Sequence, residues 1–185
     1  MSTPRKADDV KLISSLFSAH QKLIDQVITD LEGLYGPADW VSPESLFDRT
    51  KYYQQEMGWP LYRRYISFAN LIRPEELVDV KLKTNEIESR HFSEGKRRVN
   101  IDPGYISLER LILATGKNYI HRIYLSKGIY ADLTLIFQKG TFIPLQWTYR
   151  DYADPPTILY FNDLREKYKR RIQGIEIEKG RGKID

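Results

Sequence analysis

The chain has 185 residues, 41% of them hydrophobic and 12% aromatic, with 29 Lys and Arg against 25 Asp and Glu for a formal charge of +4. That length suits one domain burying roughly 70% of its extended surface, and no apolar run approaches the ~20 residues of a membrane span. With no cysteine, disulfides, thiolate metal sites and a Cys nucleophile are excluded. Met1 opens no secretory pattern, so the expectation is a cytoplasmic protein without a membrane partner.

Residues 1–9 are polar and read as a flexible N-terminus. Val10 to Phe17 reads as a strand, and a helix follows from about Ala19 to Leu34, where Leu23, Ile24, Val27, Ile28, Leu31 and Leu34 recur at helical spacing. Gly33, Gly36 and Pro37 end it. Ala38 to Met57 reads as extended or irregular. A strand over Leu61 to Ala69 sets Arg64, Ile66 and Phe68 against Tyr65 and Ser67. Pro74, Glu75 and Glu76 make a first turn suited to the helix dipole, for a helix reaching about His91 with Leu77, Val80, Thr84, Ile87 and His91 inward. Arg98 to Asp102 alternates, Val99 and Ile101 facing in, and Asp102-Pro-Gly-Tyr105 carries a type II turn signal.

Leu111 to Leu113 is a short apolar element of either type. His121 to Phe137 reads as a hairpin. Joining Leu125 to Ile129 across a three-residue Ser126-Lys127-Gly128 loop faces Arg122 with Asp132, Ile123 with Ala131 and Tyr124 with Tyr130. Ile129, Ala131, Leu133, Leu135 and Phe137 then form one apolar row. Phe142 to Trp147 reads as a strand, and a last helix begins at Pro155 with Phe161, Leu164, Tyr168 and Ile172 inward. The expected fold is α+β: a single domain over 10–173, mostly antiparallel sheet with about three helices on one face, its first half compatible with a ferredoxin-like arrangement. Residues 174–185 form a polar, partly basic tail. Arg165 to Lys183 carries a net of +5 and leaves the rest near −1, so the basic character belongs to the last helix and tail, a solvated helix end or a nucleic-acid contact.

Ala114-Thr-Gly-Lys-Asn118 lacks the first glycine and the Ser or Thr of a phosphate loop, which excludes a P-loop GTPase. His20, His91 and His121 are widely spaced and offer no metal-ligand pair, so no metal site is assigned. His121 shares its row with Ile123 and Leu125 and reads as a histidine at the core edge, able to join the polar row only at a bulge or sheet end. Lys81 to Glu88 reads mostly as solvated helix, with Asn85 its least expected member. Asn100 and Asp102, beside Arg122, Tyr124, Tyr130 and Asp132, form a candidate row: a guanidinium for an anion, rings for stacking, or equally a ladder of cross-strand pairs.

The ordered words Glu56-Met-Gly58, Leu61-Tyr-Arg-Arg-Tyr-Ile-Ser-Phe68, Pro74-Glu-Glu-Leu77, Lys81-Leu-Lys-Thr-Asn85, Val99-Asn-Ile-Asp-Pro-Gly-Tyr105, Leu113-Ala-Thr115, His121-Arg-Ile-Tyr-Leu125, Gly128-Ile-Tyr-Ala131 and Trp147-Thr-Tyr149 resemble a bacterial family catalogued only as a domain of unknown function. Some of its members are loosely labelled GTP-binding, a label this chain's motifs do not support. The resemblance spans about Val10 to Arg171. It implies that Thr84, Asn85, Asn100, Asp102, His121, Arg122, Tyr124 and Tyr130 are motif positions, without assigning roles. Asp132 stands where Glu is usual, and Arg73 where an Asp cap is frequent.

The leading expectation is binding of a small phosphorylated or carboxylated ligand, such as a nucleotide, by Asn85, Asn100, Asp102, Arg122, Tyr124, Tyr130 and Asp132. Arg122 would grip the anion. The alternatives are a metal-dependent phosphoester hydrolase or nuclease built on Asp102, Asp132, Glu86 and His121, and an RNA-associated scaffold using the C-terminal helix. The sequence names no cofactor and leaves enzyme and binding module both open.

Overall fold

The computed structural model describes residues 2–48 and 52–174. In chain order the strands are β1 (Val10–Ser18), β2 (Ala38–Val41), β3 (Ser45–Leu46), β4 (Tyr62–Ile72), β5 (Asn100–Ile106), β6 (Arg110–Thr115), β7 (Arg122–Ser126), β8 (Ile129–Gln138) and β9 (Thr141–Pro144). The helices are α1 (Gln21–Tyr35), the one-turn α2 (Gln54–Met57), α3 (Leu77–Arg90, entered through a 3-10 turn at Pro74–Glu76) and α4 (Pro155–Ile172). All described strands join one sheet of order β2-β4-β1-β5-β6-β8-β7, with β3 on β4 and β9 on β8, and every pairing is antiparallel. The fold is α+β in a single domain. Its β2-β4-β1-β5 portion, with α1 after β1 and α3 after β4, has the split βαβ topology of a ferredoxin-like unit.

The helices do not share one face. Leu12 and Leu16 of β1 pack with α1 and α3 through Ile24, Val27, Val80 and Ile87, whereas Ile13 packs with Phe161 and Leu164 of α4. Successive strand residues point to opposite faces, so a β1 in which all nine residues are buried requires cover on both sides. The predicted inward stripes hold at Leu23, Leu31, Leu77, Thr84 and Tyr168, while Leu34 is exposed and His91 and Ile172 are half-buried.

Three local expectations are corrected. Asp102 to Tyr105 is not a turn but the middle of β5. Pro103 lacks an N–H, and the ladder to β6 stops beside it at Gly104↔Leu113, so no rung is lost there. The hairpin keeps the pairs Arg122↔Asp132, Ile123↔Ala131 and Tyr124↔Tyr130, but it closes at Ser126↔Ile129 with Leu125 bulged. Its loop is the two residues Lys127 and Gly128, both at positive φ (50° and 77°), the primed turn whose twist suits a hairpin.

The third correction matters most. Leu111 pairs Leu135 while Ile112 pairs Leu133, so Thr134 is an extra residue in β8. The bulge splits the expected apolar row: Ile129 packs toward α3, and Leu135 and Phe137 toward α4. Asp132 thereby shares the α4 face with Leu113 and Leu135 and is 2% exposed.

Candidate functional site

The sheet opens at one end. β5 stays paired with β1 down to Asn100, opposite Phe17, but its ladder with β6 ends at Gly104 and Leu113. A Cβ on Gly104 would lie 2.3 Å from the Ile112 carbonyl oxygen, so glycine permits the close approach where the two strands part. Beyond that point Asn100 and Asp102 line one side of a cavity of about 890 Å³, and Leu113 to Lys117 line another. Lys81, Asn85 and Glu88 of α3 reach it, as do Tyr52, Tyr53 and the segment from Trp147 to Tyr152.

On the β7–β8 wall, Asp132 Oδ2 accepts hydrogen bonds from Arg122 Nε at 2.8 Å and faces His121 Nε2 at 3.3 Å. The bulged Thr134 donates to Asp132 Oδ1 at 3.2 Å. Arg122 also donates from Nη1 to the Lys117 carbonyl (3.0 Å) and from Nη2 to the Tyr149 hydroxyl (2.7 Å), and its guanidinium lies 4.6 Å from the Tyr119 ring centre. Each guanidinium nitrogen is thus engaged within the protein. These three bonds, of the five N–H donors a guanidinium carries, fix Arg122 in place against the β7–β8 wall.

His121 is a hydrogen-bonded histidine at the end of the sheet, its side chain 14% exposed. It sits in the turn before β7, where strand alternation no longer applies, and its ring stacks between Tyr119 (6.3 Å, 4°) and Trp147 (5.1 Å, 14°). Trp147 is fixed in turn by its indole N–H to the Leu133 carbonyl at 2.8 Å, and Thr148 Oγ1 donates to the Thr134 carbonyl. Both carbonyls lie on β8 between the stretches paired with β7 and β9, so the two side chains cap a gap in the sheet edge.

The opposite wall is a second network. Asn100 Nδ2 donates to Asp102 Oδ2 at 2.7 Å and Oδ1 accepts from Arg97 at 2.7 Å; Arg97 also holds Glu56 through two nitrogens at 3.1 and 3.0 Å. Lys81, expected on a solvated face, is 7% exposed and donates to the Ile101 carbonyl, 4.0 Å from Asp102. Glu88 accepts from the Ile101 N–H at 2.6 Å, and burial pushes its carboxyl pKa up despite Lys81 nearby. Burial likewise pushes Tyr149 up and Tyr53 to about 12, so both remain neutral phenols.

Five expected positions line the cavity: Asn85, Asn100, Asp102, Arg122 and Asp132. Tyr124 and Tyr130 do not; they stack edge-on with each other, and Tyr124 is 57% exposed. They lie two pairs further along the hairpin than Arg122 and Asp132, beyond the cleft. Glu86 is exposed and pairs with Lys83 rather than joining Asp102 and Asp132, and no cluster of three metal-ligating side chains occurs among the described residues. Of the basic C-terminal segment, residues 175–185 lie outside the described residues. Arg165 is buried over the Phe137 ring with its Nε on the Leu108 carbonyl.

Sequence reading missed Lys117, Tyr119, Trp147, Tyr149 and Arg150, all in loops that periodicity does not score. The cavity is lined by six Lys or Arg against four Asp or Glu. Among the cations, Lys117 and Arg150 make no ion pair with any described residue, and Lys117 sits 5.4 Å over the Tyr52 ring. The Asn85 side-chain amide also has no hydrogen bond there.

These features define an antiparallel-sheet domain with a polar, aromatic cleft opened between two neighbouring strands. No described helix is long and apolar enough to cross a membrane. The profile of a family described as a domain of unknown function (DUF4416) matches residues 8–168, and the chain belongs to that family. No curated protein and no solved structure matches it.

Proposed function

We propose that the cleft binds a small phosphorylated ligand with a planar ring, of the nucleotide class. The observation that carries this reading is the pairing of two cations that make no ion pair among the described residues, Lys117 and Arg150, with exposed rings of Tyr52, Tyr119, Trp147 and Tyr149 around one cavity. A cation without an ion-pair partner is available to a phosphate, and a flat ring stacks on Tyr or Trp faces at about 1–3 kcal/mol per base. The free amide of Asn85 and the carboxylate of Asp102 supply a donor and acceptors for a base edge or a sugar hydroxyl. A volume near 890 Å³ lies in the usual range for such sites. Arg122 and Asp132 hold the wall.

The test is a thermal-shift and calorimetric screen of nucleoside mono-, di- and triphosphates against the wild type and Lys117→Ala/Arg150→Ala. A ligand at one hundred times its Kd stabilises by about 2.7 kcal/mol, a readily measured shift. Binding by the wild type and its weakening in the double variant are expected. The absence of any shift, or equal shifts in both proteins, would sink the reading.

A further inference from the structure

We infer that the cleft is a hydrolytic site in which His121 is the general base that cleaves the phosphoester of the bound nucleotide. This rests on the nucleotide-binding reading above and adds chemistry to it. His121 Nε2 faces Asp132 Oδ2 at 3.3 Å. The carboxylate cannot swing away, because Arg122 Nε holds the same oxygen at 2.8 Å and Thr134 holds the other. An acceptor fixed at Nε2 places the proton on that nitrogen and leaves the lone pair on Nδ1. Nδ1 makes no hydrogen bond with any described residue, and His121 lines the cavity.

The ring cannot rotate freely either, stacked as it is between Tyr119 and Trp147. A histidine serving only to fill space needs neither a buried carboxylate on one nitrogen nor an unused lone pair at a cavity. Fixed tautomer, fixed plane and open nitrogen are the three properties a general base requires.

In the step, a water gives a proton to Nδ1 as its oxygen bonds to phosphorus. The bond from phosphorus to the ester oxygen breaks on the opposite side, that oxygen takes a proton from solvent water and the imidazolium returns its proton to solvent, leaving an alcohol and an inorganic or nucleoside phosphate. Lys117 and Arg150 face the charge on the phosphoryl oxygens. Asp132 is a positioning residue: it sets the tautomer and stabilises the imidazolium formed in passing.

The full chain would be incubated with nucleoside monophosphates and cyclic nucleotides, with Mg²⁺, with Mn²⁺ and with chelator, and the products separated by ion exchange. Wild-type turnover is expected. His121→Ala should lower kcat about 10²–10⁴-fold with KM little changed, and added imidazole should restore part of it. Asp132→Asn should lower kcat and displace the pH–rate profile, which loss of packing alone would not do. Nucleotide binding without turnover in any buffer would overturn the hydrolytic inference and leave the binding reading standing. Turnover unchanged in His121→Ala, or a loss that imidazole does not rescue in a variant melting like the wild type, would overturn the role of His121. Failure of the wild type to bind any nucleotide would remove both.

Discussion

Two charge clusters, each built on a buried cation, occupy the α4 face of this sheet. At one, Lys11 (2% exposed) pairs with Asp39 and donates to the Phe68 carbonyl at 2.7 Å, while Ser67 Oγ donates to the other Asp39 oxygen at 2.6 Å. At the other, Arg122 and Thr134 hold Asp132 beside His121. Both contain a buried cation, a carboxylate and a hydroxyl. The first closes on itself, clamping β2 to β1 and β4, and lines no cavity described above. The second keeps one ring nitrogen unengaged and borders the cleft. A buried ion pair is by itself weak evidence of function. An open valence at a cavity distinguishes the two.

The contrast can be broken by substitution. Asp132→Ala strands Arg122, whose side chain is 3% exposed, without its carboxylate and should cost about 3–5 kcal/mol in urea unfolding, abolishing nucleotide response. Asp39→Ala should cost less, about 1–3 kcal/mol, because the Asp39 side chain is one-third exposed and water can reach the stranded Lys11. Nucleotide response should survive it; loss of that response at equal occupancy of the folded state would erase the difference between the clusters. Gly104→Ala pushes a methyl against the Ile112 carbonyl where the strands part, and should cost about 1–3 kcal/mol while disturbing the cleft.

Lys117→Ala and Arg150→Ala should each leave stability within about 0.5 kcal/mol yet weaken phosphate binding roughly tenfold, with a shallower salt dependence by titration calorimetry. Tyr124→Ala, two pairs beyond Arg122↔Asp132, should change affinity by less than about twofold.

The smallest effect is one of pH. The Glu88 pKa is raised by burial, so between its unfolded value, near 4.5, and the folded one the native state holds more protons than the unfolded. Its contribution to stability therefore falls as pH rises through that window. Glu88→Gln keeps the acceptor for the Ile101 N–H and should flatten the fall. A stability profile identical to the wild type from pH 4 upward would show that Arg97 and Lys81 compensate the charge fully.

Much of the fold was legible because the chain is locally consistent. α1 follows from Leu23, Ile24, Val27 and Leu31 at helical spacing, and β5 from Val99 and Ile101. Arg122↔Asp132 follows from alternation alone, since a slip of one residue would turn every side chain over. The errors have physical causes. The Pro-Gly pair at 103–104 signals a turn locally, but the same residues also suit a strand whose neighbour departs on one side and crowds it on the other. The Thr134 bulge cannot be read from a pattern of period two, because it breaks that period. Lys81 is polar by composition and buried by position.

The candidate site was legible in part. Asn85, Asn100, Asp102, Arg122 and Asp132 come from four elements that sequence spacing cannot bring together, and the structure places all five on one cavity. Lys117, Tyr149 and Arg150 were passed over because loop residues carry no periodicity, and Trp147 because it reads as the end of a strand that in fact stops at Pro144, leaving it in the turn beyond.

The amino-acid sequence by itself determined the three long helices, most of β1 and β4, the pairs Arg122↔Asp132 to Tyr124↔Tyr130 and the membership of its family, since each depends on local pattern or ordered motif. Tertiary structure decided that α4 covers the second face, that β5 and β6 part at Gly104, and that His121 meets Asp132. Those outcomes depend on which distant surfaces pack together, and on a bulge and a close backbone approach that no short stretch of sequence encodes.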